Sequence, residues 1–232
     1  MRIHGFSKTT LLDYPGHVAC MVFTGGCNFR CPFCHNGDLV LHPDTAPMIS
    51  EEEFFTFLKK RQNVLDGVCV TGGEPTLSPD LEDFIRKIRQ FDLLVKLDTN
   101  GYRPQVLESL LKQHLLDYVA MDIKNSKEKY PMTTGIPGLD VSPVDASVQL
   151  LLRCDIPFEF RTTVVKELHH VEDFTSIGEW IKGAPAYFLQ CYKDSEQVIS
   201  PGFTSPDLQD LQLMKDAVLP FVPGTELRGI DQ

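Results

Sequence analysis

The chain has 232 residues, of which 42% are hydrophobic and 23% charged, a composition typical of a globular protein with a sizeable core. Its formal net charge of −10 argues against a general nucleic-acid-binding surface, which needs an excess of basic residues. No apolar run reaches the ~18 residues of a membrane helix, and the N-terminus lacks the layout of a signal peptide. We expect one domain over residues 1–232, cytoplasmic, binding neither nucleic acid nor membrane.

Short apolar strands alternate with amphipathic helices along the chain. Strands are predicted at residues 17–24, 66–70, 93–97, 118–123, 158–165 and 186–190. Helices are predicted to begin after Ser50, with Glu53 completing a capping box, and after Ser78, with Pro79 in the first turn. Further helices are predicted at residues 104–115, 144–152 and 171–181, and from Ser205 or Asp207 to Leu219. Residues 125–142 form the longest irregular stretch, interpreted as a mobile loop or a long connection.

This alternation indicates an α/β fold with a parallel sheet. Crossovers of one hand would curl six such units into an open-sided, partial (β/α)6 TIM-like barrel, because the common closed form needs eight units. A flat, doubly wound sheet is the alternative.

Three cysteines follow the first predicted strand directly, at Cys27, Cys31 and Cys34. A [4Fe–4S] cluster normally takes four cysteines, so three ligands would leave one iron open to another group. One alternative is a buried helical stripe, which Gly25, Gly26 and Pro32 oppose. A second alternative is a zinc site, although zinc usually takes four ligands and this chain has no second C-x-x-C pair.

The other four cysteines are scattered singly and are interpreted as buried core thiols. They are Cys20, Cys69, Cys154 and Cys191. Two adjacent histidines, His169 and His170, lie in a polar stretch and are interpreted as surface residues without an assigned role.

Polar residues recur where the predicted strands end, which is where parallel α/β sheets place their sites. They are Gly72, Gly73, Glu74, Asp98, Asn100, Asp122 and Lys124, with Arg161 inside the fifth predicted strand. Each of these taken alone also fits a plain turn or a solvated loop charge. Arg161 is the exception, because a guanidinium in an apolar strand needs an anionic partner.

The segments around the cysteines resemble the radical S-adenosylmethionine (SAM) enzymes. Asp13-Tyr14-Pro15-Gly16, the C-x₃-C-x-aromatic-C motif and the Gly-Gly-Glu-Pro segment are together similar to glycyl-radical-enzyme activating proteins. Within that group, the chain most resembles the activating proteins of anaerobic ribonucleoside-triphosphate reductase. The resemblance implies a [4Fe–4S] cluster on Cys27, Cys31 and Cys34, with SAM on the open iron.

The same resemblance implies roles for the other candidates. Phe33 would pack near the adenine, and residues 72–74 would meet the methionyl amine. Asp122, Lys124 and Arg161 would hold polar ends of the cofactor. Asn100 lies in a segment similar to one that holds SAM, and Asp98 would bind the cofactor or a monovalent cation. Asp13 would face the partner's glycine loop.

The implied reaction is reductive cleavage of SAM to a 5′-deoxyadenosyl radical that takes hydrogen from a glycine of a partner glycyl radical enzyme, with anaerobic ribonucleotide reductase as the expected partner. The electron donor would be of the flavodoxin or ferredoxin type. No auxiliary cluster is expected. Two alternatives stay open: a small-molecule radical SAM enzyme of the 7-carboxy-7-deazaguanine synthase type, and a non-enzymatic zinc-binding α/β module.

Overall fold

A computed structural model describes residues 1–230. Eight strands belong to one sheet, in which the order of the strands follows the sequence. The strands are β1 (Ile3–Thr10), β2 (Ala19–Thr24), β3 (Gly67–Gly72), β4 (Leu94–Thr99), β5 (Tyr118–Asp122), β6 (Phe158–Val164), β7 (Tyr187–Cys191) and β8 (Thr225–Arg228).

Helices follow each of the strands from β2 to β7. They are α1 (Gly37–Leu41), α2 (Glu51–Arg61), α3 (Leu81–Arg89), α4 (Pro104–Lys112), α5 (Tyr130–Thr133), α6 (Ser142–Leu151), α7 (Val171–Trp180) and α8 (Leu208–Val218), with a 3₁₀ turn at Pro75–Leu77. Among these helices, none is long and apolar enough to cross a membrane.

The pairing of the strands is mostly parallel. β1 pairs antiparallel with β2, whereas β2, β3 and β4 run parallel to one another, as do β6, β7 and β8. The strand order does not return from β8 to β1 within the described residues, so the sheet is not closed. The predicted α/β class with six consecutive β/α units is therefore confirmed for β2 to β7, and β1 and β8 were missed.

The described chain divides into two compact units. The first unit comprises residues 1–28, 36–120 and 155–157. The second comprises residues 29–35, residues 121–154 and the chain from residue 158 onward. Whether the whole chain behaves as one domain stays a prediction.

Apolar side chains form the interior of each unit. In the first, the rings of Phe54 on α2 and Phe84 on α3 stack with their centroids 5.6 Å apart, and both side chains are fully buried. In the second, Tyr130, Phe160 and Tyr187 are among the largest fully buried side chains. Burial of such aromatic side chains is a main source of stabilisation in a domain of this size.

Two predictions about local structure were wrong. α3 begins at Leu81 after Asp80, not after Ser78, because residues 75–77 first make a 3₁₀ turn. Residues 125–142 are not wholly irregular, since they contain α5 and bury Tyr130 completely, and they form the long connection from β5 to α6. By contrast, Ser50 caps α2 as predicted, by accepting a hydrogen bond from the backbone of Glu53 at 3.1 Å.

Candidate functional site

The cysteine loop, residues 25–36, connects β2 to α1 without helical structure. The helical-stripe alternative for the three cysteines is therefore wrong. Cys31 is buried, whereas Cys27 and Cys34 are half-buried, and none of the three is in a disulfide bond. The backbone N–H of Cys34 donates to the carbonyl of Cys31 at 3.0 Å, which closes a turn between these two residues.

The described residues include no group of three or more His, Cys, Asp or Glu side chains placed to hold a single metal ion. In a four-iron cluster each cysteine binds a different iron, so its cysteines need not converge on one point.

Glu74 lies at the centre of a hydrogen-bond network in the first unit. Its carboxylate is 1% exposed and accepts from the Thr99 hydroxyl at 2.7 Å and from the Asn100 backbone N–H at 2.6 Å. The backbone and hydroxyl of Thr76 donate to the same carboxylate. Burial raises the pKa of this carboxyl, although the hydrogen bonds oppose the shift.

This arrangement joins the end of β3 to the end of β4. Because the Glu74 carboxylate already accepts hydrogen bonds from three residues of the protein, the predicted contact of Glu74 with an amine would have to use its backbone.

Gly72 and Gly73 lie against the chain's own backbone. Gly73 N–H donates to the Thr24 carbonyl and Glu74 N–H to the Gly26 carbonyl, both at 2.8 Å. A Cβ on Gly73 would overlap the Gly26 carbonyl oxygen, and a Cβ on Gly72 would overlap the Thr24 backbone. Gly72 also has φ +122°, a conformation that favours glycine. The space beside Gly72 and Gly73 is therefore occupied by backbone atoms of Thr24 and Gly26, at the start of the cysteine loop.

An amide pair lies beside Cys27. Asn100 donates from Nδ2 to Asn28 Oδ1 at 2.9 Å, and the same nitrogen lies 3.7 Å from Cys27 Sγ. Asn28 Nδ2 and Thr24 Oγ1 are both buried without a hydrogen-bond partner among the described residues. Because buried polar atoms are rarely left unpaired, the Asn28 nitrogen is a candidate contact for a polar group beside Cys27.

Asp98 carries a counter-ion from its own strand. The Lys96 ammonium pairs with the Asp98 carboxylate, and the two side chains are 1% and 11% exposed. Residues two apart on a strand share a face, which explains the pairing. Lys96 also lies 5.9 Å from the centre of the Tyr118 ring. Since an ammonium already neutralises this carboxylate, Asp98 needs no monovalent cation for charge balance.

A second charged group forms in the second unit, at the ends of β5 and β6. Lys124 Nζ lies 2.9 Å from Asp122 Oδ2, and both Nε and a terminal nitrogen of Arg161 lie 3.1 Å from Asp122 Oδ1. Burial raises the pKa of Asp122, but the two cations outweigh it and bring the pKa to about 2. The anionic partner predicted for Arg161 is therefore Asp122.

Lys124 also lies near Cys31. Burial lowers the pKa of the ammonium, but the negative charges of Asp122 and of the Cys31 thiolate reverse this, so the net shift of the pKa is upward. A lasting positive charge beside a thiolate stabilises it, which suits a cysteine that serves as a metal ligand.

His169 was wrongly predicted to lie on the surface. Its ring is 1% exposed, and Nε2 lies 2.8 Å from the Lys124 carbonyl oxygen while Nδ1 lies 3.1 Å from the Val165 backbone nitrogen. A neutral ring that donates from Nε2 and accepts at Nδ1 satisfies both contacts. His169 thus fixes the backbone beside Lys124. Only its neighbour His170 is exposed.

A cavity of about 300 Å³ in the second unit was also missed. It lies at the carboxyl ends of β6, β7 and β8, and its lining includes His35, Thr163, Gln190, Cys191, Lys193 and Arg228. Arg228 lies with its guanidinium carbon 3.1 Å from the centre of the Phe188 ring and pairs with both oxygens of Glu159 at 3.0 and 3.2 Å. Because β8 was not predicted, the sequence pattern offered no signal for Arg228.

The remaining candidates have well-defined positions. Phe33 is 3% exposed. Asp13 is half-buried, its side chain accepts from the Thr10 hydroxyl, and its carbonyl lies 3.4 Å from Cys69 Sγ on β3. Of the scattered cysteines, Cys20 and Cys69 are buried as predicted, whereas Cys154 and Cys191 are only half-buried.

Comparison with known protein families identifies the family of this chain. The sequence profile of the radical SAM superfamily matches residues 21–176. The chain therefore belongs to the radical SAM superfamily, a family that implies a [4Fe–4S] cluster and SAM. The three thiols of the motif, none of them in a disulfide bond, and the unpaired amide nitrogen of Asn28 fit such a group.

Two proteins whose names state an activity are similar in sequence to this chain. A candidate glycyl-radical enzyme activating enzyme of Methanocaldococcus jannaschii is 30% identical over 198 residues, covering 84% of this chain and 81% of that protein. The pyruvate formate-lyase-activating enzyme of Clostridium pasteurianum is 33% identical over 145 residues, covering 58% of this chain and 57% of that enzyme.

Among solved structures, Streptococcus suis SuiB matches with a TM-score of 0.70 at 13% identity, over 91% of this chain and 49% of SuiB. SuiB has also been solved with SAM bound. At this identity the likeness concerns the fold alone, and it agrees with the α/β class.

Proposed function

We propose that this chain is an activating enzyme that installs a radical on a glycine of a partner glycyl radical enzyme. The observation that carries the proposal is the alignment over 84% of this chain with a relative named for that activity. The three-cysteine motif lies within residues 21–176, which match the radical SAM superfamily. When bound, the cluster and SAM supply a 5′-deoxyadenosyl radical that takes a hydrogen atom from the glycine, with methionine as the other product.

The cysteines hold the cluster in this proposal. Cys27, Cys31 and Cys34 bind three irons as thiolates, and the Lys124 ammonium near Cys31 stabilises that ligand in its charged form. The backbone N–H groups of Gly73 and Glu74 donate to the Thr24 and Gly26 carbonyls, and these hydrogen bonds fix the start of the loop directly before Cys27.

Charged and polar groups of the second unit bind SAM. Asp122, Lys124 and Arg161 are held together by ion pairs of 2.9 and 3.1 Å, so these charged groups are fixed in place, and they would hold the ammonium and carboxylate of the methionine part. The cavity beside His35 offers Gln190, Thr163 and the aromatic neighbour Tyr192, which suits a nucleoside. Phe33 would pack near the adenine of that nucleoside.

We further propose that the partner is anaerobic ribonucleotide reductase, that Asp13 faces its glycine loop, and that a flavodoxin or ferredoxin supplies the electron. The support for these finer assignments is the sequence resemblance of the segment from Leu12 to Asn36.

The test is reconstitution without oxygen, with iron and sulfide, followed by assay of 5′-deoxyadenosine release from SAM. The wild type should turn brown and cleave SAM, and Cys31→Ala should reduce cleavage to background while the protein stays folded. Cys154→Ala, a half-buried cysteine outside the motif, is the matched control and should cleave SAM like the wild type. A colourless wild-type protein with stoichiometric zinc, or full cleavage by Cys31→Ala, would overturn the proposal.

A further inference from the structure

We propose that Asn28 donates a hydrogen bond from Nδ2 to a sulfur ligand of the iron bound by Cys27, and so raises the reduction potential of the cluster. This role for Asn28 rests on the proposed function, because it requires a cluster at Cys27. The inference starts from the buried amide nitrogen of Asn28, which has no hydrogen-bond partner among the described residues.

The orientation of the Asn28 amide is fixed by a chain of donors and acceptors. Tyr102 N–H donates to Asn100 Oδ1 at 3.0 Å, which leaves Asn100 Nδ2 as the donor facing Asn28. That nitrogen bonds to Asn28 Oδ1 at 2.9 Å. Turning the Asn28 amide over would bring two NH₂ groups together, so Nδ2 must be the atom that points away from Asn100.

The support behind this pair is rigid. The Asn100 backbone N–H donates to Glu74 at 2.6 Å, and Glu74 is fully enclosed. Asn100 itself is 5% exposed. Asn28 is therefore oriented by a buried network that spans the ends of β3 and β4, as expected for a residue that orients a metal ligand.

The position of the pair points to the acceptor. Asn100 Nδ2 lies 3.7 Å and Asn28 Oδ1 4.0 Å from Cys27 Sγ, so the two amides lie beside this sulfur, and a cluster bound there would offer further sulfur atoms as acceptors for Asn28 Nδ2. An unpaired buried donor destabilises the folded protein, and an acceptor supplied by the bound cluster would remove that cost. Hydrogen bonds to cluster sulfurs are one of the factors that set the reduction potential. A donor favours the reduced cluster because that form carries the extra negative charge.

The test uses the reconstituted full chain and a redox titration without SAM, followed by electron paramagnetic resonance. The variants are Asn28→Leu, which removes the donor, Asn28→Asp, which reverses its polarity, and Asn100→Ser, which removes its orienting partner. Asn63→Leu, at an exposed position, is the matched control. Iron content, melting temperature and, in a separate titration, SAM binding are measured for every variant.

Each of the three site variants should lower the reduction potential, with Asn28→Asp lowering it most. Asn28→Leu should decrease the equilibrium constant for one-electron reduction by up to tenfold, or about 59 mV. Asn63→Leu should leave the potential unchanged. A folded Asn28 variant that loses its iron also supports a contact with the cluster.

Unchanged potentials in loaded Asn28 variants would overturn the assignment while leaving the proposed function intact, because the wild type would still carry its cluster and cleave SAM. An unchanged potential with weaker SAM binding would show that the acceptor lies on SAM instead, which also overturns the sulfur assignment. A wild type without a cluster would refute the proposed function itself.

Discussion

His169 shows how one buried ring positions a neighbouring charged residue. Burial lowers the pKa of His169, although backbone contacts to Lys124 and Val165 and the charge of Asp173 oppose the shift. The ring is therefore neutral in the folded protein at neutral pH. This state is required for its contacts, since a protonated ring could no longer accept the Val165 N–H.

The lowered pKa of His169 predicts a stability change with pH. Below the ordinary pKa of 6.5 the unfolded chain binds a proton that the folded ring does not, so stability falls as the pH decreases from 6.5. The contribution is at most about 1.4 kcal/mol per pH unit. Melting temperatures between pH 7.5 and 5 should fall less steeply in His169→Gln than in the wild type. His42→Gln, at an exposed position, should retain the wild-type slope, and equal slopes for all three proteins would contradict this.

The sequence indicated individual site residues better than it indicated their partners. Arg161 in an apolar strand predicted an anionic partner, and in the structure that partner is Asp122. Lys96 gives a comparable signal, because it also lies in an apolar strand, but it was not among the predicted site residues. Residues two apart on a strand share a face, so this spacing alone would have predicted that Lys96 lies beside Asp98. His169 gave no such signal, since burial in a polar connection depends on tertiary packing.

At the scale of elements, the turn after β3 is determined by close backbone contact. Gly73 has no room for a side chain, because the Gly26 carbonyl lies where a Cβ would be. Since Gly26 directly precedes Cys27, a change at Gly73 has to displace either the turn or the beginning of the cysteine loop.

Gly73→Ala should therefore decrease the free energy of unfolding by about 1–3 kcal/mol, in the range of overpacked substitutions. It should also lower the iron content after reconstitution. The matched control is Gly5→Ala in β1, because a Cβ there meets nothing within 4 Å and the change should stay within about 0.5 kcal/mol of the wild type. Denaturant titration and iron analysis check both. Equal stability and iron content for the two variants would show that the contact with Gly26 yields at little cost.

Elements with a strong apolar pattern were predicted, and those without one were missed. β2 to β7 are short and rich in buried apolar residues, so their positions agree with the prediction to within a few residues. β1 has only one fully buried residue, and β8 has four residues in all, so neither carries the pattern that identifies a strand. The α3 boundary failed because Ser78 follows a 3₁₀ turn that competes with a helix start.

At the scale of the whole molecule, the net charge of −10 and the family membership limit what the chain binds. The negative net charge disfavours nucleic acid as a general partner. The substrate of an activating enzyme is instead a polypeptide segment, and Asp13 is our candidate for facing it. Substitution of a residue that faces the partner should weaken radical transfer but not SAM cleavage, because only radical transfer requires the partner.

The most direct test is electron paramagnetic resonance after anaerobic mixing of the reconstituted chain with reductant, SAM and anaerobic ribonucleotide reductase. We predict a glycyl radical signal in the reductase that needs all components, and a weaker one with Asp13→Ala although SAM cleavage persists. Equal losses of both activities in Asp13→Ala would contradict the role of that residue. SAM cleavage by the wild type without a glycyl radical in this reductase would refute the partner, and its absence in every other glycyl radical enzyme tested would contradict the proposed function.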